Sequence, residues 1–346
     1  MLLDIIIPQY SESDNVIKEL LDSINNQINI YKKDISITIV NDASSTLISD
    51  ELINSYSELS IKYIRRETNG GPGLARQFGF DNTNSYYVMF IDADDVLYDN
   101  ISLNAIIDFL IKNQPDYLVT NIACESIIKN KPGWIVKKGK DTFPWMHGKV
   151  YKRSFLNQNE IRFSEHVRDL EDSYFTTCVL GILGPDKVKY LDYPTVRWKA
   201  NLSSLTRAKK NHHYTVETFD DFFYAPQYAY EYLSKHKSNY RFSYLASSLM
   251  AIYIILNSDI FALSDLDEKR AKYNRLLAEY IKTKRNIFII IGYERLEGLY
   301  QNELKELTLR NGLKRVYKSF DDFYNTYIRW KDDELWMMNL RNSGRN

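Results

Sequence analysis

Apolar positions in the first hundred residues follow two alternating rhythms. Leu3–Ile7 is a short β-branched run closed by Pro8, which predicts a strand. Ser13 then stands at a helix N-cap position, ahead of a stripe formed by Val16, Ile17, Leu20, Leu21 and Ile24. Ile35–Asn41, Ile61–Ile64 and Tyr86–Ile91 repeat the strand signal, and Gly70-Gly71-Pro72-Gly73 opens a further helix between the last two. Alternation of this kind predicts a largely parallel, doubly wound sheet, whose ligands bind outside the carboxyl ends of the strands.

Polar residues collect at three of those ends: Gln9-Tyr10, Asn41-Asp42 and Asp92-Ala93-Asp94-Asp95. Residues 115 to 200 mix strand and turn signals with two helices, one near Lys152–Asn159 and one starting at Glu171. From His212 onward the spacing of Tyr, Phe, Leu and Ile becomes helical, without an internal repeat or a low-complexity linker. The expected division is a strand-and-helix domain over residues 1–210 and a helical region over 211–346.

Composition narrows the class. Forty-five basic and 45 acidic residues cancel, so the chain has no general attraction to nucleic acid or anionic lipid. With 44% apolar residues in 346, a disordered or collagen-like chain is excluded. Cys124 and Cys178 have no CxxC partner, which argues against a disulfide scaffold or a cysteine zinc site. The first residues lack a basic segment before their apolar run, unlike a secretory signal. The most apolar stretch, residues 286–293, is far below the roughly 18 residues that span a bilayer. These features predict a soluble, cytoplasmic protein. Aromatic residues are in surplus, with 27 Tyr and 16 Phe.

Asp92-Ala93-Asp94-Asp95 is the sharpest chemical feature. Three carboxylates at a strand exit stay ionised only when donors, water or a cation compensate them, and no Lys or Arg occurs between Gln77 and Ile111. Such hard oxygen ligands suit Mg²⁺ or Mn²⁺ shared with substrate phosphates. The plainer alternative is a solvated acidic turn with a helix N-cap at Asp99.

IIIPQYSESDN, VNDASS, GGPGLARQFG and FIDADD, followed by WMHGKVYKRSFL, IRFSEHVRDLEDSYF and RWKANLSSLTRA, occur in order over residues 1–210. Together they resemble the family 2 inverting glycosyltransferases. That resemblance implies the GT-A nucleotide-diphospho-sugar transferase fold, a Rossmann-like mixed sheet with helices on both faces, here followed by a helical C-terminal region. It implies Mn²⁺ or Mg²⁺ as cofactor, a UDP-sugar donor, and a glycan or cell-surface polymer as acceptor.

By that resemblance, Pro8 and Tyr10 would lie at the nucleotide base, with Tyr10 offering a ring face. Asp42 would accept the uracil imide N–H, Arg76 would approach the base or diphosphate, Asp92 would face the ribose and Asp94 would bind the metal. Asp95 would support the site through hydrogen bonds. Trp145, His147 and Glu171 would lie near the sugar and acceptor, although His147 equally suits a structural histidine and Glu171 a helix cap. Asp172 would be the catalytic base, deprotonating an acceptor hydroxyl in a single inverting displacement. Arg197, Ser203, Ser204 and Arg207 belong to an acid-free cationic run read as a loop folding over the diphosphate, with His212 and His213 just beyond.

Other readings have identifiable weaknesses. An NAD-binding loop would leave Asp94 and Asp95 idle, and Arg76 replaces its last glycine. A sugar-nucleotide pyrophosphorylase would begin with a glycine-rich basic loop, whereas Gln9–Asp14 is acidic and glycine-free. A non-catalytic glycan-binding module predicts missing carboxylates, yet Asp42, Asp92, Asp94 and Asp172 are present. The helical region, with tyrosines from Tyr214 through Tyr232 to Tyr327, is expected to form a homo-oligomer or bind acceptor, and peripheral contact with the inner face of a membrane is a further expectation.

Overall fold

The computed structural model describes residues 1–125, 133–141, 144–199, 216–259, 267–311 and 313–329. The chain divides into two units, Met1–Ser204 with Glu231–Ser238, and Leu205–Tyr230 with Asn239–Asn346.

The first unit begins with four parallel strands: β1 (Leu3–Gln9), β2 (Ile35–Asn41), β3 (Ile61–Arg65) and β4 (Tyr87–Phe90). Helices α1 (Asp14–Asn25), α2 (Asp50–Asn54) and α3 (Gly71–Asp81) connect them. β1 lies between β2 and β4, and six of its seven residues are buried, which explains its unbroken apolar run. The α1 stripe buries Ile17, Leu20, Leu21 and Ile24, at roughly 1.5–3 kcal/mol for each large aliphatic side chain. Ser13 occupies the N-cap position without a side-chain cap bond.

Beyond β4 the pairing becomes mixed. The remaining elements are β5 (Val96–Leu97), α4 (Ser102–Asn113), β6 (Tyr117–Glu125), β7 (Trp134–Lys137), β8 (Lys149–Lys152), α5 (Arg153–Gln158), α6 (Glu171–Leu183) and β9 (Lys189–Trp198). The sheet order is β3-β2-β1-β4-β8-β6-β9-β5, with β7 also paired to β6. β8 is antiparallel to both β4 and β6, while β9 is parallel to β6 and carries β5 antiparallel at its far edge. The parallel expectation therefore holds for the first half, and the mixed second half matches the architecture implied by the motifs. Because β2 and β4 flank β1 on opposite sides, the winding reverses beside β1, and the crevice outside its carboxyl end is where ligands of such sheets bind.

At the opposite end of the sheet, Asp4 is buried within β1. It accepts hydrogen bonds from the Ser36 hydroxyl and from the Ser85 N–H and hydroxyl, and pairs with Arg153 at 2.8 Å. Arg153 also donates to the carbonyls of Phe80 and Ser85, so neither charge is left without partners.

The second unit is helical: α7 (Val216–Lys235, of which the part up to Tyr230 belongs here), α8 (Tyr240–Leu256), α9 (Asp267–Ile291), α10 (Tyr293–Asn311) and the short α11 (Phe320–Phe323). Phe219, Phe223, Leu249, Tyr253, Tyr273, Phe288 and Phe323 lie in its core. Many tyrosines expected at a surface are thus packing residues. Tyr253, Tyr273 and Tyr300 are buried, and their hydroxyls donate to Ser319 O, Asp220 Oδ1 and Lys318 O. Tyr327 packs its ring against Tyr253 and Phe323. In the first unit, the Tyr232 hydroxyl donates to Asn159 O. Among the described residues, no helix is long and apolar enough to cross a membrane.

Candidate active site

The site is assembled from strand ends. Asp42 N–H donates to Gln9 O at 2.8 Å, so the chains leaving β1 and β2 emerge side by side. Asn41, fully buried, donates to Gln9 Oε1 at 2.7 Å and receives the Ser44 N–H at 2.9 Å, while Gln9 Nε2 donates to Thr46 O at 3.1 Å. Gln9 and Asn41 thereby hold the loop that carries Asp42. Pro8 is half-buried and the Tyr10 ring is 53% exposed, leaving that ring face accessible.

Asp42 itself is buried and accepts from Gly70 N–H at 3.1 Å and Gly71 N–H at 2.7 Å, and it pairs with Arg66. A carboxylate has about four acceptor positions. These donors tie Asp42 to the first turn of α3, where negative charge is favoured by the helix dipole. Gly71 has φ +82°, a left-handed conformation that an L side chain adopts only under strain.

The acidic turn after β4 is compensated from distant parts of the chain, which local sequence could not reveal. Arg76 Nη2 lies 2.5 Å from Asp92 Oδ1, and Nη1 lies 2.7 Å from Glu171 Oε1. His147 Nε2 is 3.0 Å from Asp95 Oδ2 and 3.4 Å from Asp92 Oδ2. Burial works against charging His147, but the two carboxylates outweigh it and push its pKa up to about 10, so it is an imidazolium at neutral pH. Burial also opposes charge on Asp92, which Arg76 and His147 nevertheless hold below the usual carboxylate range. Asp95 is raised, by burial first and by its acidic neighbours. It also accepts the Lys199 N–H at 3.0 Å. Asp99 accepts from Ile101 N–H and the Ser102 hydroxyl, and α4 begins only at Ser102 rather than being capped by Asp99.

The donor set has the character a divalent cation requires, since ligand atoms of Asp92, Asp95 and His147 lie within 4.8 Å of one another. An imidazolium does not ligate, however, so a metal at that position would have to displace the His147 proton. Asp94, half-buried between Asp92 and Asp95, is the remaining carboxylate of the turn.

Asp172 occupies the first turn of α6 and is half-buried, with Oδ1 accepting the Ser173 N–H at 2.6 Å. Burial raises its pKa, Arg76 opposes that shift, and Asp92 adds to it. Glu171, immediately before it, is buried and is likewise raised, by burial first and then by the Asp172 charge. Buried Lys149 donates to Trp145 O, and burial lowers its pKa to about 7 against the attraction of Asp172.

The structure thus brings Arg76, Asp92, His147 and Glu171 into one buried charge network, with the Asp172 carboxylate electrostatically linked to it. Arg197 is placed differently from its expected loop. It is a residue of β9, with its guanidinium over the rings of Tyr98 and Trp134, each at 5.3 Å. The next residue, Trp198, packs instead on Trp145 at 5.2 Å and His147 at 5.5 Å. Strand alternation sends neighbouring side chains to opposite faces, so Trp198 rather than Arg197 adjoins the network. That alternation was available in the sequence once the segment is read as strand. Ser203, Ser204 and Arg207, with His212 and His213, lie outside the described residues.

Residues 4–165 match the sequence model of glycosyl transferase family 2. A poly(ribitol-phosphate) beta-glucosyltransferase of Bacillus spizizenii is 31% identical over 187 residues, covering 51% of this chain and 29% of that protein. Glycosyltransferase GlyA of Streptococcus pneumoniae is 27% identical over 367 aligned positions, covering 97% of this chain and 51% of that protein. The chain therefore spans less than a third of the first relative and about half of the second. Among solved structures, S. aureus TarS 1–349 in complex with UDP-GlcNAc superposes with a TM-score of 0.65 at 19% identity, over 90% of this chain and 87% of that one. Residues 4–165 accordingly constitute a family 2 glycosyl transferase domain, set within a GT-A fold.

Proposed function

We propose that the chain is an inverting, metal-dependent glycosyltransferase that moves a hexose or N-acetylhexosamine from a UDP-sugar to a hydroxyl of a glycan or cell-surface polymer, giving a β-linkage. The observation that carries this reading is the placement of Asp172 in the first turn of α6, beside Glu171, which shares Arg76 with Asp92 of the acidic turn after β4. The UDP-GlcNAc complex of TarS and the poly(ribitol-phosphate) relative support a UDP-sugar donor and a polyol-phosphate type of acceptor.

In this mechanism the uracil stacks on the exposed Tyr10 ring beside Pro8 and offers its imide N–H to Asp42. Asp92 faces the ribose. Asp94 would hold Mn²⁺ or Mg²⁺, which would supply the positive charge that a departing diphosphate requires. Trp145 and His147 orient the sugar, with Trp198 packed behind both. Asp172 takes the acceptor hydroxyl's proton as that oxygen attacks the anomeric carbon, and a raised pKa makes it a stronger base than an ordinary aspartate. One displacement converts an α-linked donor into a β-glycoside. Ser203, Ser204 and Arg207 are proposed to reach the diphosphate from the segment after β9, with residues 1–210 as the catalytic domain. Residues 211–346 are proposed to serve oligomerisation or acceptor binding, and the protein to work in the cytoplasm, in peripheral contact with the membrane.

UDP release over a panel of UDP-, GDP- and CMP-sugars, with Mn²⁺ or with EDTA, tests this reading. We expect release from a UDP-sugar, its loss with EDTA, and its loss in Asp94→Ala. Turnover that persists through chelation and in both Asp94→Ala and Asp172→Asn would overturn the mechanism.

A further inference from the structure

Three features of α3 face the segment that leads into α6. An ideal Cβ on Gly73 would stand 2.8 Å from both Cβ and Cγ of Glu171 and 3.4 Å from the Phe163 ring, so glycine permits this backbone approach. Three residues further, on the same side of the helix, Arg76 reaches Glu171 and Asp92 with separate nitrogens. Gln77 Oε1 then accepts the Phe163 N–H at 3.0 Å. The Arg76 side chain is only 4% exposed and that of Glu171 9%. The guanidinium commits one terminal nitrogen to each carboxylate, while its buried Nε–H has no protein partner among the described residues.

We infer that Gly73 and Arg76 are positioning residues for the catalytic base: together they grip the first turn of α6 through Glu171, and Arg76 ties that turn to Asp92 at the end of β4. This rests on the reading of Asp172 as base and reassigns Arg76 and Glu171 from substrate contact to alignment. The guanidinium is a rigid planar fork, so two carboxylates bound to it are fixed in direction as well as distance. Asp172 is the next residue on the same helical turn, and its placement follows that of Glu171. A misplacement of about 1 Å at a reacting group costs on the order of 100-fold in rate.

The test is a comparison of Arg76→Lys and Gly73→Ala with the wild type, measuring kcat and KM for the best UDP-sugar, UDP affinity by calorimetry, and melting temperature. Lysine keeps the charge without the fork, so kcat should fall about 100-fold. UDP affinity should stay within about twofold in the same variant. Gly73→Ala should show the same split, with a smaller loss of kcat. In the Arg76→Lys background, adding Glu171→Gln should cost less than it does alone, as expected for residues acting as one unit. Weakening of UDP binding by about tenfold or more in Arg76→Lys would overturn the inference, whatever happens to kcat, because it would make Arg76 a nucleotide ligand. Unchanged kcat in both variants would also overturn it. Asp172→Asn, assayed alongside, separates the two readings: full transfer there sinks the base assignment itself, whereas lost transfer there with normal Arg76→Lys and Gly73→Ala sinks only the positioning role.

Discussion

The two ends of one sheet each pair an aspartate with an arginine, and they do so to opposite effect. At the amino end, Asp4 meets two serines and Arg153. Burial opposes its charge, yet those donors lower its pKa. At the carboxyl end, Asp92, Asp95 and Glu171 share Arg76 and His147, and burial together with mutual repulsion raises both Asp95 and Glu171. The first arrangement is satisfied and only stabilises. The second is held under electrostatic load by the surrounding fold, which is where proton transfer and charge binding become available.

The largest expected effect separates these ends directly. Asp172→Asn should lower transfer by about 10²–10⁴-fold, the usual span of general-base contributions, while the melting temperature holds or rises because a like charge beside Glu171 has gone. A melting temperature that falls with activity would place Asp172 with Asp4 as a structural group. Next in size, Asp4→Ala should destabilise by about 3 kcal/mol, since it leaves the half-buried Arg153 without the carboxylate it pairs with. Urea unfolding measures this, and kcat per folded molecule should be unchanged.

A subtler contrast lies in pH dependence. Asp4 has a lowered folded pKa, so its contribution is present above 3.8 and is lost as pH falls through the folded value. Glu171 has a raised folded pKa, so the native state binds the extra proton. Its contribution is full below 4.5 and is lost as pH rises through the folded value. Asp4→Asn should therefore flatten the acid limb of the stability curve, and Glu171→Gln the decline on its neutral side. Identical curves for either variant and wild type would remove that contrast. The smallest effect belongs to the exposed Lys18–Asp22 pair, where Lys18→Ala should change stability by no more than about 0.5 kcal/mol in urea.

The apolar rhythm was enough to locate β1, β2, β3 and β4 within about two residues; β1 and β2, buried between parallel neighbours, leave continuous apolar runs. The start of α6 at Glu171 and the α1 stripe were legible from helical spacing. Arg197 was not, since a basic run looks like a solvated loop until the pairing of Val96 with Arg197 shows it to be strand. The tyrosine surplus was ambiguous in a related way: ring spacing by threes and fours serves a helical core as well as an interface, and only the tertiary packing assigns Tyr253, Tyr273 and Tyr300 to the core.

By itself, then, the sequence determined the strand–helix order, the three polar strand ends, the acidic turn and the ordered motifs, all of which are set by neighbours within about a dozen residues. Tertiary structure decided which charges compensate which. Sequence separations of 16 between Arg76 and Asp92 and 95 between Arg76 and Glu171 are closed only by the sheet order and by the close approach at Gly73. His147 reaches Asp95 from a distant segment of the chain. Ion pairs depend on distances of a few ångströms in space, and a linear pattern carries no record of that proximity.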